Sequence, residues 1–442
     1  MQFTAEIVLK MKIGMVSLGC DKNTVDTERV LGTLKTAGHN IVSDPEDAEI
    51  IIINTCAFIE SAKVEAIDTI IEMAEYKNRN CLKVIVIGCL ANRYYEEIKE
   101  NLIEADIVLR INDYDKLLGI ISDIDQKKSV IPIEETSRIL TTPYHYSYLK
   151  ISEGCNNRCT YCAIPAIRGN YISTPIDNLV DEAKMLVDNY GIKELILVAQ
   201  DVTRYGYDLY GKYALLNLLD KLEKLDISWI RLMYCYPELV SDELIRRVAA
   251  NGKVVKYLDI PLQHISDNIL KKMNRRNCKK DIYNLLDRIR KIDDNISIRS
   301  TFIVGFPGES EEDFNELLSF IGEAEIDNSG FFAYSREEGT PAYKLPNQIL
   351  ARVKKSRLEK LYGAETEVIL NKNKKLIGQK LKVLYEGIDY DNQCYKGRSY
   401  RSAPNIDSKI LFTGKESPNI GDFVDVIITG NNKLDLTAKI LE

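Results

Sequence analysis

The strongest constraint on this chain is a repeated alternation. Short apolar runs with the length of buried strands, such as Ile50-Ile-Ile-Ile53 and Val84-Ile-Val-Ile87, are separated by longer stretches with apolar residues at helical spacing. Strands that are apolar on both faces and alternate with helices imply βαβ units and a parallel sheet. In the first third, strands are expected at Lys12–Leu18, Ala48–Asn54, Leu82–Gly88 and Asp106–Leu109, with helices at Thr24–Ala37 and Ile59–Tyr76. Residues 1–10 read as a tail without the apolar core of a signal peptide. Residues 125–145, with Pro132 and Pro143, read as a connector, which places a boundary near 142.

The alternation then resumes at a longer period. Strands are expected at Ser147–Ser152, Glu194–Ala199, Ser228–Tyr234, Val255–Pro261, Ser297–Val304 and Ser329–Tyr334, with helices at Leu179–Tyr190, Tyr213–Leu225, Glu243–Ala250, Lys280–Ile292 and Glu311–Glu323. Six β/α units in series predict an open TIM-like (β/α)6 barrel, whose site forms on loops after the strand C-termini. A basic helical run, Leu350–Leu370, follows. Short strands at Lys380–Tyr385, Gln393–Ser399, Ser408–Phe412, Asp422–Thr429 and Asp435–Ile440 then predict a small OB-like β-barrel. The expected organisation of this α/β chain is therefore an N-terminal parallel-sheet domain over 11–125, the barrel over 142–370 and the β-barrel over 372–442.

The chain has 442 residues, 45% of them apolar and 28% charged, and ten cysteines. No apolar run reaches the roughly 18 residues of a membrane span. Cysteines without an export signal suit a reducing compartment, so a cytoplasmic location is expected, with the thiols serving metals or catalysis. The net charge of −7 disfavours a chain built mainly to grip nucleic acid.

Two sets of three cysteines carry the chemistry. The first loop past the opening barrel strand holds Cys155, Cys159 and Cys162 in the spacing CxxxCxxC. Three thiolates can hold three corners of a [4Fe–4S] cluster and leave one iron open. Zinc is the rival, but it wants four ligands, usually in separated pairs, and a fourth is not evident. Three unligated loop thiols are the remaining alternative. In the first domain, Cys20, Cys56 and Cys89 each stand just past a buried strand, 36 and 33 residues apart. Parallel strands end on one edge, where α/β ligand sites lie, so these three can meet in space. The alternative is three small buried hydrophobes.

The loop, with Tyr161 immediately before its last cysteine, is similar to the radical S-adenosylmethionine (SAM) superfamily. That resemblance implies that the methionine moiety of SAM chelates the open iron, that Tyr161 lies beside the adenine, and that Ile303 and Gly305 of Arg299-Ser-Thr-Phe-Ile-Val-Gly-Phe-Pro-Gly-Glu309 lie under it. Thr301 stands where the pattern more often has glycine. Gln263, in Asp259-Ile-Pro-Leu-Gln-His264, and Gln200 with Asp201 are further candidates for SAM contacts, with loop and cap hydrogen bonds as the plain alternative. The basic run Lys271–Arg276 reads as a solvated face, although the resemblance places Met273-Asn-Arg275 in the SAM pocket. Cys81, Cys235, Cys278 and Cys394 read as packing or surface thiols, and His39 and His145 as loop or surface residues.

Two three-cysteine sites plus a terminal β-barrel resemble the radical-SAM methylthiotransferases, whose layout of cluster domain, radical-SAM barrel and TRAM domain would cover nearly the whole chain. Ser17-Leu-Gly-Cys-Asp-Lys-Asn-Thr-Val-Asp-Thr-Glu28, Gln200-Asp-Val-Thr-Arg-Tyr-Gly206 and Gly397-Arg-Ser-Tyr-Arg-Ser-Ala-Pro-Asn-Ile-Asp407 look like the RimO branch. Asp21, Ser402 and Asn405 depart from its commoner proline and acidic residues. The resemblance implies two [4Fe–4S] clusters, one making a radical from SAM and the other carrying a sulfur that SAM methylates. It implies methylthiolation of an aspartate β-carbon in small-subunit ribosomal protein twelve, free or in the ribosome, with an electron donor such as flavodoxin or ferredoxin and no membrane partner. Residues 372–442 carry 12 Lys or Arg against 9 Asp or Glu, too slight an excess for a tRNA-gripping barrel. A tRNA adenosine methylthiotransferase is the second reading, and a non-catalytic iron–sulfur or zinc protein that binds RNA is the third.

Overall fold

The computed structural model describes residues 11–124, 138–415 and 417–441. Expectations for residues 1–10 and for most of the 125–145 connector lie outside the described residues. By its contacts the chain divides into two units, one of Met1–Thr142, Glu153–Asn156 and Cys162–Tyr171, the other of Pro143–Ser152, Asn157–Tyr161 and Ile172–Glu442.

The first unit is built on a five-stranded sheet in the order Asn40–Val42, Lys12–Ser17, Ile50–Thr55, Lys83–Gly88, Ile107–Val108. All neighbours are parallel. The apolar runs are long because both faces are covered. Ile51, Ile53, Val84 and Val86 pack with Ala66, Ile70 and Met73 of the helix Glu60–Ala74, whereas Ile50, Ile52, Ile85 and Ile87 pack with Val30 and Leu34 of the helix Asp21–Thr36. Truncating any of these isoleucines to alanine would cost about 2–5 kcal/mol. Ala163 and Ile167, from the segment that carries Cys162, join the first of these clusters. The edge strand Asn40–Val42 and the helices Tyr95–Asn101 and Leu117–Ile124 were not expected from the sequence pattern.

The second unit holds a six-stranded sheet in the order Tyr146–Lys150, Glu194–Val198, Trp229–Leu232, Val254–Asp259, Ser297–Val304, Asn328–Ala333. Every pair is parallel and each strand neighbours the next in sequence, as an open (β/α)6 barrel requires. The basic helical run continues to Leu376 as one helix, Ala351–Leu376. It leads into a closed five-stranded barrel of Lys380–Asp389, Cys394–Arg398, Ile410–Thr413, Asp435–Ile440 and Phe423–Asn432.

Within this unit the stretch 398–407 is pinned against the beginnings of the sheet strands. Arg398 and Arg231 both pair with the buried Glu194, at 2.7 and 2.6 Å. The Tyr257 hydroxyl donates to Asp407 at 2.6 Å, and Arg299 pairs with the same carboxylate at 3.2 Å. Arg401 pairs with Asp327 at 2.5 Å. His145, expected as a loop or surface residue, lies in the turn before Tyr146–Lys150 but is buried, with its Nε2 3.1 Å from Glu386, because the β-barrel covers it. Among the described residues no helix is long and apolar enough to cross a membrane.

Candidate functional site

In the first unit, Cys20, Cys56 and Cys89 follow the strands Lys12–Ser17, Ile50–Thr55 and Lys83–Gly88, which are adjacent in the sheet. Asn23 ties these strand ends together. Its Nδ2 donates to Leu18 O at 2.9 Å and to Thr55 O at 3.0 Å, while its Oδ1 lies 3.7 Å from Cys89 Sγ. Asn54 Nδ2 returns a bond to Asn23 O at 3.0 Å. Gly19 sets the approach of the first loop. It sits at φ +95°, and a Cβ there would lie 2.9 Å from Cys56 Cβ and 3.1 Å from its Sγ. Cys20 occupies the N-cap position of the helix Asp21–Thr36, at the positive end of the helix dipole, without a side-chain capping bond.

The electrostatics agree with three converging thiols. Burial, helped by Cys20 and Cys56 and opposed by Arg168, pushes the Cys89 thiol up to about 12. Cys56 is likewise raised, first by burial and then by Cys20 among other neighbours. Cys56 and Cys89 therefore resist ionising unless a cation sits beside them, which is the setting a metal cluster supplies. Arg168 provides part of that charge. Its Nε donates to Cys89 Sγ at 3.3 Å, and its Nη1 pairs with Asp26 at 3.0 Å and Glu153 at 2.9 Å. Its Nη2 also donates to Asn23 Oδ1. Asp26 and Glu153 hold the guanidinium so that its Nε faces Cys89 Sγ, a donor that fits an anionic sulfur centre.

The segment with the CxxxCxxC spacing contributes Cys155 and Cys162 to the first unit and Cys159 to the second. Cys155 is buried, with its N–H bonded to Gly169 O at 3.1 Å, and Cys162 is half-buried. Cys159 is buried in the second unit, where the Tyr236 hydroxyl lies 2.8 Å from its Sγ. The Arg275 guanidinium stacks on the Tyr236 ring at 4.1 Å and reaches to 4.0 Å from the same sulfur. All ten cysteines are free thiols. Among the described residues no group of three His, Cys, Asp or Glu side chains is gathered as one metal ion would need. Cysteines of a cubane cluster each bind a different iron, so they stand farther apart than ligands of a single ion.

Around Cys159 the second unit collects most of the other predicted positions. Tyr161 and Ile303 pack on one apolar cluster with Met273, Phe306 and Tyr334. Gln263 and Ile303 are joined through their backbones, Ile303 N donating to Gln263 O at 2.8 Å, while Gln263 N donates to Thr301 O at 2.8 Å. Gly305 sits at φ +70° and its N–H donates to Glu309 at 2.7 Å; a Cβ there would meet the Lys354 side chain at 2.3 Å. Asp201 is buried as a hydrogen-bond hub for Asn157 at 3.1 Å and for Thr203 and Arg204. Gln200 is half-buried beside it in sequence. Gln263, Glu238 and Asn277 each bury side-chain polar atoms with no protein partner, which fits a pocket for a polar ligand.

Lys271–Arg276 departs from a solvated face, since Met273 and Arg275 are buried. Arg275 is drawn in by the Tyr236 ring and by Pro261 O, to which it donates at 2.7 Å. Sequence reasoning missed Arg168, Asn23 and Tyr236 as parts of these environments, whereas Arg275 lies in the segment that the resemblance placed at the SAM pocket. Asn23 and Arg168 lie three and six residues past a motif cysteine, the only signal they carried. Cys81 and Cys235 are buried, and Cys278 and Cys394 half-buried, as packing or surface thiols.

Family models match three stretches: an uncharacterized protein family, UPF0004, over 12–110, the Radical SAM superfamily over 149–321, and the TRAM domain over 377–441. The chain is 50% identical over 444 residues to the ribosomal protein uS12 methylthiotransferase RimO of Clostridium kluyveri, covering 98% of this chain and 99% of that one. The RimO proteins of Acetivibrio thermocellus and Caldicellulosiruptor saccharolyticus are 47% and 45% identical, each over 98% of this chain and at least 99% of their own. Among solved structures, the radical SAM methyltransferase TsrM from Kitasatospora setae, with cobalamin and a [4Fe–4S] cluster bound, matches with a TM-score of 0.54 at 14% identity, over 76% of this chain and 74% of that one. The cobalamin-dependent SAM radical enzyme OxsB matches with a TM-score of 0.51 at 12% identity, over 80% of this chain and 56% of that one. At such identities the two structures speak to the fold alone. A likeness that runs the full length of its relatives at about half identity, and takes in every domain of them, makes this chain a member of the RimO family of radical-SAM methylthiotransferases.

Proposed function

We propose that the chain inserts a methylthio group at the β-carbon of an aspartate in small-subunit ribosomal protein twelve, with SAM as methyl donor and radical source. The proposed ligands are Cys20, Cys56 and Cys89 for one [4Fe–4S] cluster and Cys155, Cys159 and Cys162 for the other. The observation that carries this reading is the placing of three cysteines at three adjacent parallel strand ends, in a chain whose other triplet lies in its radical-SAM region. When bound, the clusters would supply the electron that breaks the SAM sulfonium bond and the sulfur to be transferred, neither of which a side chain here can provide.

The residues have the complementary tasks of binding and exclusion. Tyr161 and Ile303 offer an apolar wall for an adenine, and the glycine turn at Gly305 lets backbone come close to it. Gln263 directs a buried carbonyl with no protein partner, suited to a ribose or amine donor. Asp201 holds Asn157 and Arg204 and so fixes the loop before Cys159. Arg168 offsets negative charge at Cys89, and Tyr236 with Arg275 does so at Cys159.

A ribosomal protein suits the C-terminal barrel better than tRNA does. Of its few excess cations, Arg398 and Arg401 are engaged with Glu194, Glu386 and Asp327. The remaining parts of the reading are an electron donor such as flavodoxin or ferredoxin and a cytoplasmic setting. The deciding experiment offers the anaerobically reconstituted chain ribosomal protein twelve and tRNA side by side and reads the mass gain of each. A methylthio mark on the protein and about eight irons per chain are expected. A mark on tRNA alone, or about four irons, would overturn the substrate or the two-cluster reading respectively.

A further inference from the structure

We propose that the outward face of the helix Glu60–Ala74 is a docking surface for a basic polypeptide, which on the reading above is the ribosomal-protein substrate; the inference rests on that reading. The helix buries Ala66, Ile70 and Met73 against the sheet. At about 100° per residue, Val64, Ile67 and Ile71 fall on a separate stripe about 60° wide, turned away from that face. They are 50%, 38% and 43% exposed, and Phe58, at the helix entrance, is 42% exposed. A helix with one side packed normally carries polar residues there, and a contiguous exposed apolar stripe marks an interaction site.

One flank of the stripe is acidic. Glu65, Asp68, Glu72 and Glu75 project along it, all exposed. Among the described residues none of the four makes an ion pair. The one lysine of the helix, Lys63, falls on the other flank and is engaged by Glu60 at 2.5 Å. This combination chooses among occupants. A second copy would bring the same carboxylates against these, and the whole chain is already at −7. RNA phosphates and an acidic electron carrier meet the same repulsion. A lysine- and arginine-rich polypeptide with apolar side chains satisfies both halves of the surface, its cations beside the acidic flank and its apolar groups on the stripe.

The position is apt for a substrate. Phe58 is two residues past Cys56, hence within about 7 Å along the chain. Cys20, in the same candidate site, is exposed. A polypeptide held on the stripe would therefore lie beside the opening of the site proposed to carry the sulfur.

The test uses the full chain with both clusters reconstituted, in two paired variants, Val64→Ser/Ile71→Ser and Asp68→Lys/Glu72→Lys. Purified ribosomal protein twelve is the probe, with direct binding, KM and kcat for methylthio transfer, and SAM cleavage without protein substrate measured for each. The expected result is binding and KM weakened about tenfold in each pair, with kcat and basal SAM cleavage unchanged. The charge-reversed pair should also lose the salt dependence of binding. Unchanged binding and KM would overturn the proposal. So would a defect confined to the rate of reduction by an electron carrier, or a wild-type dimer in sedimentation that either pair converts to monomer. If the wild type binds the ribosomal protein without modifying it, the proposed function fails while the docking surface still stands or falls on the variants. If the wild type neither binds nor modifies it, both fail.

Discussion

Arg168 Nε donates a hydrogen bond to Cys89 Sγ at 3.3 Å, across 79 residues of sequence. The same guanidinium pairs with Asp26 and Glu153, so one cation is shared by a cysteine of the first triplet and by the segment that leads into the second. Glu153 stands two residues before Cys155, and Arg168 six residues after Cys162. Arg168→Gln removes the charge from two carboxylates and a sulfur at once. Breaking a buried ion pair from one side costs about 3–5 kcal/mol, so chemical unfolding of the metal-free chain should show a loss of that order. Iron per chain after reconstitution should drop toward one cluster. Arg168→Lys keeps the charge without the planar fork and should fall between the two. An unaltered iron content in Arg168→Gln would mean that the arginine is structural only.

Gly19→Ala tests the convergence of the first triplet through the backbone. The site needs φ +95°, which an L side chain adopts at a cost of about 1–2 kcal/mol, and the new methyl would press on Cys56 Cβ at 2.9 Å. Because the crowding falls on Cys56, the expected outcome is a folded chain that loses about one cluster and methylthio transfer while retaining SAM cleavage. Cys20→Ala should give the same pattern without the stability loss. Iron analysis, melting temperature and the two activities read these together, and methylthio transfer retained in Cys20→Ala would remove the first-unit cysteines from the mechanism.

Tyr236→Phe isolates one hydrogen bond. The hydroxyl lies 2.8 Å from Cys159 Sγ, and burial holds the phenol well above the ordinary tyrosine range, so it remains the donor toward an anionic sulfur. Hydrogen bonds to cluster sulfurs stabilise the reduced, more negative state. The variant should therefore show a more negative midpoint potential for that cluster in an EPR-monitored titration, with slower SAM cleavage. Stability should change by only about 1 kcal/mol, because the ring and its stack with Arg275 remain. A potential equal to wild type would show that the hydroxyl does not act on the cluster.

The strands were legible because parallel strands covered on both faces write themselves as unbroken apolar runs, as Ile50–Ile53 does. Asn40–Val42 carries no such run: it is a half-exposed edge, and its pairing with Lys12–Gly14 is a fact of tertiary structure. The cysteines of the first triplet were legible through topology, since each follows a recognisable strand. Their polar surroundings were not, because Arg168 and Asn23 act on Cys89 at separations of 79 and 66 residues, beyond any local period. Burial of single polar residues was hidden for the same reason. His145 and Arg275 lie in polar, loop-like sequence, and it is Glu386 and Tyr236, distant in the chain, that receive them.

Glu194 gives the second unit a defined dependence on acid. Burial alone would raise its carboxyl, but Arg231 and Arg398 outweigh burial and hold it below the ordinary carboxylate range. The unfolded chain titrates this group near pH 4.3, so between that value and the lower folded one the unfolded state binds more protons. The contribution of Glu194 to stability is therefore fully present above about pH 4.3 and is lost as pH falls through the folded value. Glu194→Gln leaves the buried Arg231 without its carboxylate and Arg398 with Glu386 alone, which should cost about 3–5 kcal/mol at pH 7. Below about pH 4.3 the unfolded wild type takes up a proton before the folded protein does, so the gap between the two proteins should narrow at pH 3.5. Denaturant unfolding at the two pH values measures this, and a gap that stays constant would show that the carboxylate does not ionise between its two arginines.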